Sequence, residues 1–134
     1  MPPATPIKRM SLENAELAKI SVNAFVTTKI TFANMLAELC AAIPGGDIDV
    51  VSDALGADSR IGRKYLTGGL GFGGPCFPRD NVALSFIANV VGARSDLLIA
   101  TDRLNRSLAD RILQQLRSRV PRDGTVAEIG RAHV

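Results

Sequence analysis

The sequence has few aromatic residues: they make up 4% of the chain, and tryptophan is absent. Hydrophobic residues account for 46% of the 134 residues, most of them Ala, Leu, Ile and Val. That content can form the packed core of one domain and excludes a disordered polymer. An interior made of these side chains favours helices packed on helices.

The sequence also lacks a long apolar run. No segment approaches the roughly 20 consecutive apolar residues that span a bilayer, and no signal peptide is visible, so we expect a cytoplasmic protein without a membrane partner. The formal net charge is +3, and the basic residues are scattered. This distribution is too weak for a nucleic-acid footprint.

Cysteine and histidine are scarce, with Cys40, Cys76 and His133 the only examples. Two distant cysteines do not make a disulfide framework, and with one histidine they do not predict a metal site. Cys40 lies in the apolar stretch "LAELCAAI" and is expected in the core.

Periodicity predicts an all-α fold of four or more helices. The longest signal covers residues 11–43, with Ser11 as N-cap and "PGG" at 44–46 as the stop. A helix of this length usually joins two domains or packs in a dimer. Three more helices are expected, over 47–55, from Pro78 to near Gly92, and from Ser95 to about Val120.

The two ends of the chain differ from its helical middle. Residues 1–10 are interpreted as a linker from an N-terminal Rossmann domain, and residues 11–120 as a helical central domain. Residues 121–134 begin with the turn signal "PRDG", and "GTVAEIG" then starts like a stray strand of a further α/β domain. The final "EIGRAHV", residues 128–134, resembles a translated sequencing adapter and is left out of the fold prediction.

A glycine-rich stretch separates the second and third predicted helices. Residues 56–77 hold seven of the twelve glycines, and Gly69, Gly71 and Gly74 fit the dinucleotide pattern G-x-G-x-x-G. The residues before them are too charged for the buried strand that such a motif must follow, so the match is interpreted as coincidental. The glycines instead favour a loop that wraps a ligand closely.

Cys76 stands between two prolines at the end of this stretch, "GPCFP". The positive end of the next helix dipole favours a thiolate there, which makes Cys76 a candidate nucleophile. A small buried hydrophobe is an equally good interpretation of the position. Asp80 would lie in the first turn of the helix, where it could orient a proton or a water.

Two further groups of polar residues are candidates. Lys19 and Asn23 are spaced i, i+4 on one helix face among apolar neighbours, where a partly desolvated lysine could stabilise an oxyanion. A lysine snorkelling at the helix edge is a slightly better interpretation of that spacing. A basic cluster precedes the glycine loop and consists of Arg60, Arg63 and Lys64. It either contacts phosphate groups or is a solvated charged turn.

Three segments together resemble the UDP-glucose/GDP-mannose dehydrogenase family: "AELAKISVNAFVTTKITFANMLAELC", "DSRIGRKYL" and "GLGFGGPCFPRD". The resemblance covers roughly residues 12–120, and the "DSRIG" form is more like UDP-sugar members. It implies an NAD-dependent oxidation of a sugar C6 alcohol to a carboxylate in two hydride transfers. It also implies a homodimer through the long helix.

The resemblance implies specific roles for residues of this chain. Cys76 would attack the aldehyde intermediate, Lys19 would steady the oxyanion, and Asn23 and Asp80 would position the alcohol and the water. Arg79 would approach NAD, although lysine is usual there. The substrate site would comprise Lys19, Asn23, Arg60 from a partner subunit, Tyr65, Leu66, Thr67, Gly68, Gly69, Phe72 and Gly73.

The resemblance leaves several alternatives open. The substrate could be UDP-glucose, a UDP-N-acetylhexosamine or GDP-mannose. The chain could also be a non-catalytic helical dimerisation module. Because the family's Rossmann domain and most of its UDP-binding domain are absent from this sequence, we expect the chain alone to be inactive.

Overall fold

The computed structural model describes residues 7–127, and within this range the fold is four helices without a strand. They are α1 (Leu12–Ala42), α2 (Ile48–Ala57), α3 (Phe77–Val90) and α4 (Asp96–Arg119). The prediction of an all-α domain is confirmed. Residues 1–6 and 128–134 lie outside the described residues, and with them most of the expected linker, the adapter-like tail and the end of the expected strand.

Local sequence signals explain where the helices begin. The Ser11 hydroxyl accepts a hydrogen bond from the Asn14 N–H at the start of α1, and the Asp47 carboxylate accepts from Asp49 N–H at the start of α2. Such N-caps satisfy N–H groups that have no partner within the helix. In α3, Pro78 occupies the first turn, where its missing N–H costs nothing.

Small and short polar side chains fill the centre of α1, where it packs against α3 and α4. The buried residues of α1 are Ala24, Thr27, Thr31, Ala33 and Asn34. Because these side chains are short, the neighbouring helices can approach α1 closely. Many larger apolar side chains remain exposed on the outer faces of α1 and α3.

The segment between α2 and α3 has no regular secondary structure, as expected for the glycine-rich stretch. No strand precedes it within residues 7–127, so the G-x-G-x-x-G match is not a dinucleotide motif. In the described part of the chain, no three His, Cys, Asp or Glu side chains group as metal ligands. None of the described helices is long and apolar enough to cross a membrane.

Candidate active site

Asp80 lies where the first turn of α3 meets α1, with 4% of its surface exposed. Its Oδ2 atom accepts a hydrogen bond from Lys19 Nζ at 2.5 Å and another from Asn23 Nδ2 at 2.6 Å. The Arg79 guanidinium approaches the other oxygen, with Nε 3.3 Å from Oδ1. Donors from two helices therefore surround a single carboxylate.

These donors hold Asp80 in its ionised form. The hydrogen bond from Lys19, followed by that from Asn23, lowers the pKa of Asp80 from its ordinary 3.8 to about 2. Burial acts in the opposite direction, and the charge of Lys19 and the hydrogen bond from Arg79 add smaller decreases. At neutral pH, Asp80 is an anion that can accept a hydrogen bond or a proton but cannot donate one.

Cys76 is the N-cap residue of α3 and is exposed. Its carbonyl oxygen accepts the Asp80 N–H at 2.8 Å, so the two residues are one helical turn apart. Side chains at this spacing have Cβ atoms about 5–6 Å apart on one face. The Cys76 side chain makes no capping hydrogen bond to α3, which leaves the thiol available one turn before Asp80.

Lys19 agrees in part with each of the two interpretations of its spacing. Its side chain is 59% exposed, which is closer to the slightly favoured snorkelling lysine than to a partly desolvated one. The reason is that its apolar neighbours Val22 and Phe25 are themselves exposed and do not cover it within this chain. Lys19 is nevertheless held by Asp80 and does not simply extend into solvent at the helix edge.

The glycine loop borders a cleft of about 490 Å³. Its lining residues are Ile30, Tyr65, Thr67, Gly68, Gly69, Leu70, Gly71, Phe72, Gly73 and Phe77. Cys76 stands in the sequence between the lining residues Gly73 and Phe77. Tyr65 has a φ of 64°, a conformation that a bulky residue rarely adopts and that is often found at functional sites.

Leu66 does not line this cleft, although the resemblance assigned it to the substrate site. Its side chain is 1% exposed and belongs to the core. Its carbonyl oxygen accepts a hydrogen bond from Arg63 Nη1 at 2.9 Å. Tyr65 faces outward and Leu66 faces inward. This difference arises from tertiary packing and is not specified by the sequence motif.

One face of α1 contributes side chains both to the cluster around Asp80 and to the cleft along the glycine loop. Lys19, Asn23, Ile30 and Asn34 fall within about 60° of one another at 100° per residue. The first two bind Asp80, Ile30 lines the cleft, and Asn34 Oδ1 accepts the Gly69 N–H at 2.8 Å. The sequence analysis missed Asn34; a carboxamide on the same face as Lys19 and Asn23 was the available signal.

The basic cluster before the loop divides into two roles. Arg60 is exposed and pairs with Asp58, with Nη2 2.6 Å from Oδ2. Arg63 turns toward the protein and contacts Asp53 Oδ1 from α2 in addition to Leu66. Arg63 is therefore a loop anchor, whereas Arg60 extends from the surface.

Lys29 is a second anchor that the sequence analysis missed. Its Nζ donates to the carbonyl oxygens of Ile61 at 2.9 Å and Gly62 at 3.1 Å. Gly62 has a φ of 70°, a conformation that glycine adopts without strain, so glycine is favoured in the turn that carries these carbonyls. Lys29 thus ties the Arg60 turn to α1.

The residues of this site lie within a region that matches a known family. A sequence model for the central domain of the UDP-glucose/GDP-mannose dehydrogenase family matches residues 13–107. The chain belongs to the UDP-glucose/GDP-mannose dehydrogenase family. The matched region contains the helix face of α1, the glycine loop, Cys76 and Asp80.

Several relatives are similar to this family member across most of its length. UDP-glucose 6-dehydrogenase TuaD of Bacillus subtilis is 43% identical over 111 residues, which are 83% of this chain and 24% of TuaD. UDP-glucose 6-dehydrogenase AglM of Haloferax volcanii is 40% identical over 128 residues, 95% of this chain and 30% of AglM. The chain therefore spans less than a third of the length of these relatives.

A solved structure is similar in fold as well as in sequence. The UDP-glucose dehydrogenase of the hyperthermophilic archaeon Pyrobaculum islandicum aligns with a TM-score of 0.78 at 38% identity. The alignment covers 82% of this chain and 25% of that one. The helical arrangement described above is thus a central-domain arrangement within the dehydrogenase family.

Proposed function

We propose that this chain is the catalytic central part of an NAD-dependent nucleotide-sugar 6-dehydrogenase that converts UDP-glucose to UDP-glucuronate. The observation that carries the proposal is the Asp80 carboxylate, held by Lys19 and Asn23 one turn after the exposed Cys76. An anion, an ammonium, an amide and a thiol are the protein groups that can assist the oxidation of an alcohol to an acid when a hydride acceptor is bound. The relatives named above are UDP-glucose 6-dehydrogenases.

The cleft along the glycine loop is the proposed binding site of the nucleotide sugar. Tyr65, Thr67 and the glycines present backbone and small side chains, so a polar ligand can approach the main chain closely. Cys76 follows the loop directly, which would bring the C6 end of the sugar to the thiol. Leu66 supports this segment from the core and is not proposed to touch the substrate.

The first oxidation would remove a hydride from C6 and a proton from the alcohol oxygen. Asp80 and Asn23 would orient that hydroxyl and a water that takes its proton, since Asp80 is an acceptor at neutral pH. The exposed ammonium of Lys19 would stabilise negative charge on the oxygen. NAD, when bound, accepts the hydride in each of the two oxidations.

The second oxidation would use Cys76. Its thiolate adds to the aldehyde carbon to form a thiohemiacetal, and loss of a second hydride from C6 leaves a thioester. Water held by Asp80 and Asn23 then attacks the thioester carbon, releasing the carboxylate and restoring the thiol. Every atom of the product comes from the sugar and one water.

Arg79 is the residue of this chain proposed to contact NAD. Its side chain is 67% exposed, so the guanidinium can bind an acceptor group of the cofactor while it touches Asp80. A guanidinium suits anionic and carbonyl acceptors, and the chemistry of this donor fits the group. The other cofactor contacts are proposed to come from a Rossmann domain.

A second copy of the chain is the proposed partner. Val22, Phe25, Phe32 and Leu39 are exposed on α1 at spacings of three and seven residues, a pattern that suits packing of one long helix against another. Arg60, exposed on its turn, is proposed to reach the UDP-sugar of the partner subunit. Measuring the molar mass of the chain in solution tests whether two copies associate.

The proposed function is tested by Cys76→Ser in the chain joined to both flanking dehydrogenase domains. We expect carboxylate formation from UDP-glucose to fall by at least about 10³-fold, because a hydroxyl is a far weaker nucleophile at neutral pH. Cys40→Ser is the matched control and should keep the wild-type rate. Wild-type carboxylate formation by Cys76→Ser would contradict the thiol mechanism, whereas no carboxylate formation by the unaltered enzyme would favour a non-catalytic dimerisation module.

Substrate choice is tested with the unaltered enzyme. UDP-glucose, UDP-N-acetylglucosamine and GDP-mannose are compared at equal concentration by their values of kcat/KM. We expect UDP-glucose to be oxidised fastest. A higher kcat/KM for one of the other two would reassign the substrate without changing the roles of Cys76 and Asp80.

A further inference from the structure

The carboxamide of Asn105 on α4 makes hydrogen bonds to both the N–H and the carbonyl oxygen of Phe72. The Phe72 N–H donates to Asn105 Oδ1 at 2.8 Å, and Asn105 Nδ2 donates to the Phe72 carbonyl oxygen at 2.9 Å. Phe72 is 8% exposed, so both of its backbone groups would lack partners without this side chain. One carboxamide thus anchors the middle of the glycine loop.

Gly71 makes room for this anchor. A Cβ atom at position 71 would overlap the Asn105 carboxamide and crowd the Leu108 side chain. The φ of Gly71 is outside the left-handed region, so the glycine is required for space and not for its backbone conformation. The close approach of the loop to α4 therefore depends on both residues.

The anchored Phe72 also supports the start of α3. Its ring meets the Phe77 ring edge to face, with centroids 6.4 Å apart and planes at 89°. Phe77 is the first residue of α3 and follows Cys76 directly. The contacts thus run from Asn105 through Phe72 and Phe77 to the segment that presents the thiol.

We infer that Asn105 is a positioning residue that sets where Cys76 meets the aldehyde. The inference rests on the proposed function for its catalytic consequence, while the anchor itself is independent of it. Asn105 is not among the residues that line the cleft and acts through Phe72. When the hydrogen bonds between Asn105 and the Phe72 backbone are weakened, the attack of Cys76 on the aldehyde slows more than the first oxidation, because the first oxidation does not use the thiol.

Asn105→Asp in the chain joined to its flanking domains tests the catalytic part. The carboxylate keeps the acceptor for the Phe72 N–H but turns the donor into an oxygen that repels the Phe72 carbonyl. We expect carboxylate formation to fall by about 10- to 100-fold. The amount of NADH formed per carboxylate should rise above two, because aldehyde escapes before Cys76 captures it.

The stoichiometry separates positioning from a purely structural role. A variant that is only less stable contains less active enzyme but still yields two NADH per carboxylate. Gln114→Glu makes the same chemical change on an exposed part of α4 and should keep both the rate and the ratio. A ratio of two in Asn105→Asp overturns the assignment.

Gly71→Ala is a second variant that displaces Asn105 from the loop side. It changes no residue of α4 and keeps the inference testable if Asn105→Asp fails to fold. It should raise the ratio of NADH to carboxylate in the same direction. An unchanged ratio in this variant also counts against the inference.

Hydrogen–deuterium exchange on the chain itself tests the anchor without any substrate. Asn105→Asp should speed exchange in segment 70–74 relative to Gln114→Glu, and equal exchange would refute the anchor. If the unaltered enzyme makes no carboxylate from any nucleotide sugar, the proposed function fails. The exchange result still decides whether Asn105 anchors the loop.

Discussion

Lys19 Nζ lies 2.5 Å from Asp80 Oδ2, although 61 positions separate the two residues in the sequence. Together with Asn23, Lys19 lowers the pKa of Asp80 to about 2. The contact therefore joins α1 to α3 and also favours the charged form of the carboxylate one turn after Cys76. Removing the charge of Asp80 should affect both chemistry and stability, and the two effects can be measured separately.

Asp80→Asn should lower carboxylate formation in the enzyme that contains this chain. The amide has the same shape but cannot act as an anionic acceptor for the substrate hydroxyl, and its NH₂ competes with the donors of Lys19 and Asn23. We expect a loss of about 10²-fold or more in kcat, because the hydroxyl and the water lose the acceptor that orients them. Asp110→Asn, on the exposed side of α4, is the control. A kcat within about threefold of the wild-type value would argue against the assigned role.

The stability of the chain should depend on pH through Asp80. Because its folded pKa of about 2 is below the ordinary 3.8, the ionised carboxylate stabilises the fold above pH 3.8, and this contribution is lost as the pH falls toward 2. Thermal unfolding of wild type and Asp80→Asn is compared from pH 7 downward. The difference in Tm should be constant at first and shrink between about pH 4 and pH 2. A difference that stays constant to pH 2 would contradict the prediction.

The two cysteines should react at different rates. Cys76 is exposed at the start of α3, whereas Cys40 is partly buried in α1, so iodoacetamide should label Cys76 about 10-fold faster at pH 7. Mass spectrometry of peptides from the folded chain measures both rates. In denaturant the rates should become similar. Equal labelling in the folded chain would contradict the difference in exposure between the two cysteines.

Exchanging exposed apolar residues of α1 for charged ones should weaken the proposed dimer. Phe25→Glu would place a charge in an interface centred on α1, at a cost of about 2 kcal/mol or more, roughly a 30-fold weaker association. Light scattering over a range of concentrations measures the change. Leu113→Glu, an exposed leucine on α4, is the control. A wild-type chain that remains monomeric at high concentration would contradict the dimer.

The helices could be predicted from the sequence because their signals are local. Ser11 caps α1, Pro78 stands in a first turn, and the glycine-rich segment is irregular, each as predicted. Asp47, predicted as the first residue of a helix, is the cap of α2. Each signal depends on hydrogen bonds or backbone angles within a few residues. The spacing of Cys76 and Asp80 is local for the same reason, since one helical turn separates them.

The supports of the glycine loop could not be predicted in this way. Asn34 and Asn105 bind the backbone of Gly69 and Phe72 from 35 and 33 positions away. A carboxamide has the same sequence signature whether it faces solvent or a distant backbone group. The inward turn of Leu66, assigned to the substrate site by resemblance, likewise depends on the packing of the loop against the helices.

The sequence by itself determined four helices, a glycine-rich loop that ends in Cys76, and Asp80 one turn later. These features follow from periodicity, capping and the backbone freedom of glycine, which act between near neighbours. Only the tertiary structure decided that Lys19 and Asn23 share the Asp80 carboxylate and that Asn105 anchors the loop. The charge of a buried carboxylate depends on which donors surround it, and folding brings those donors from other helices.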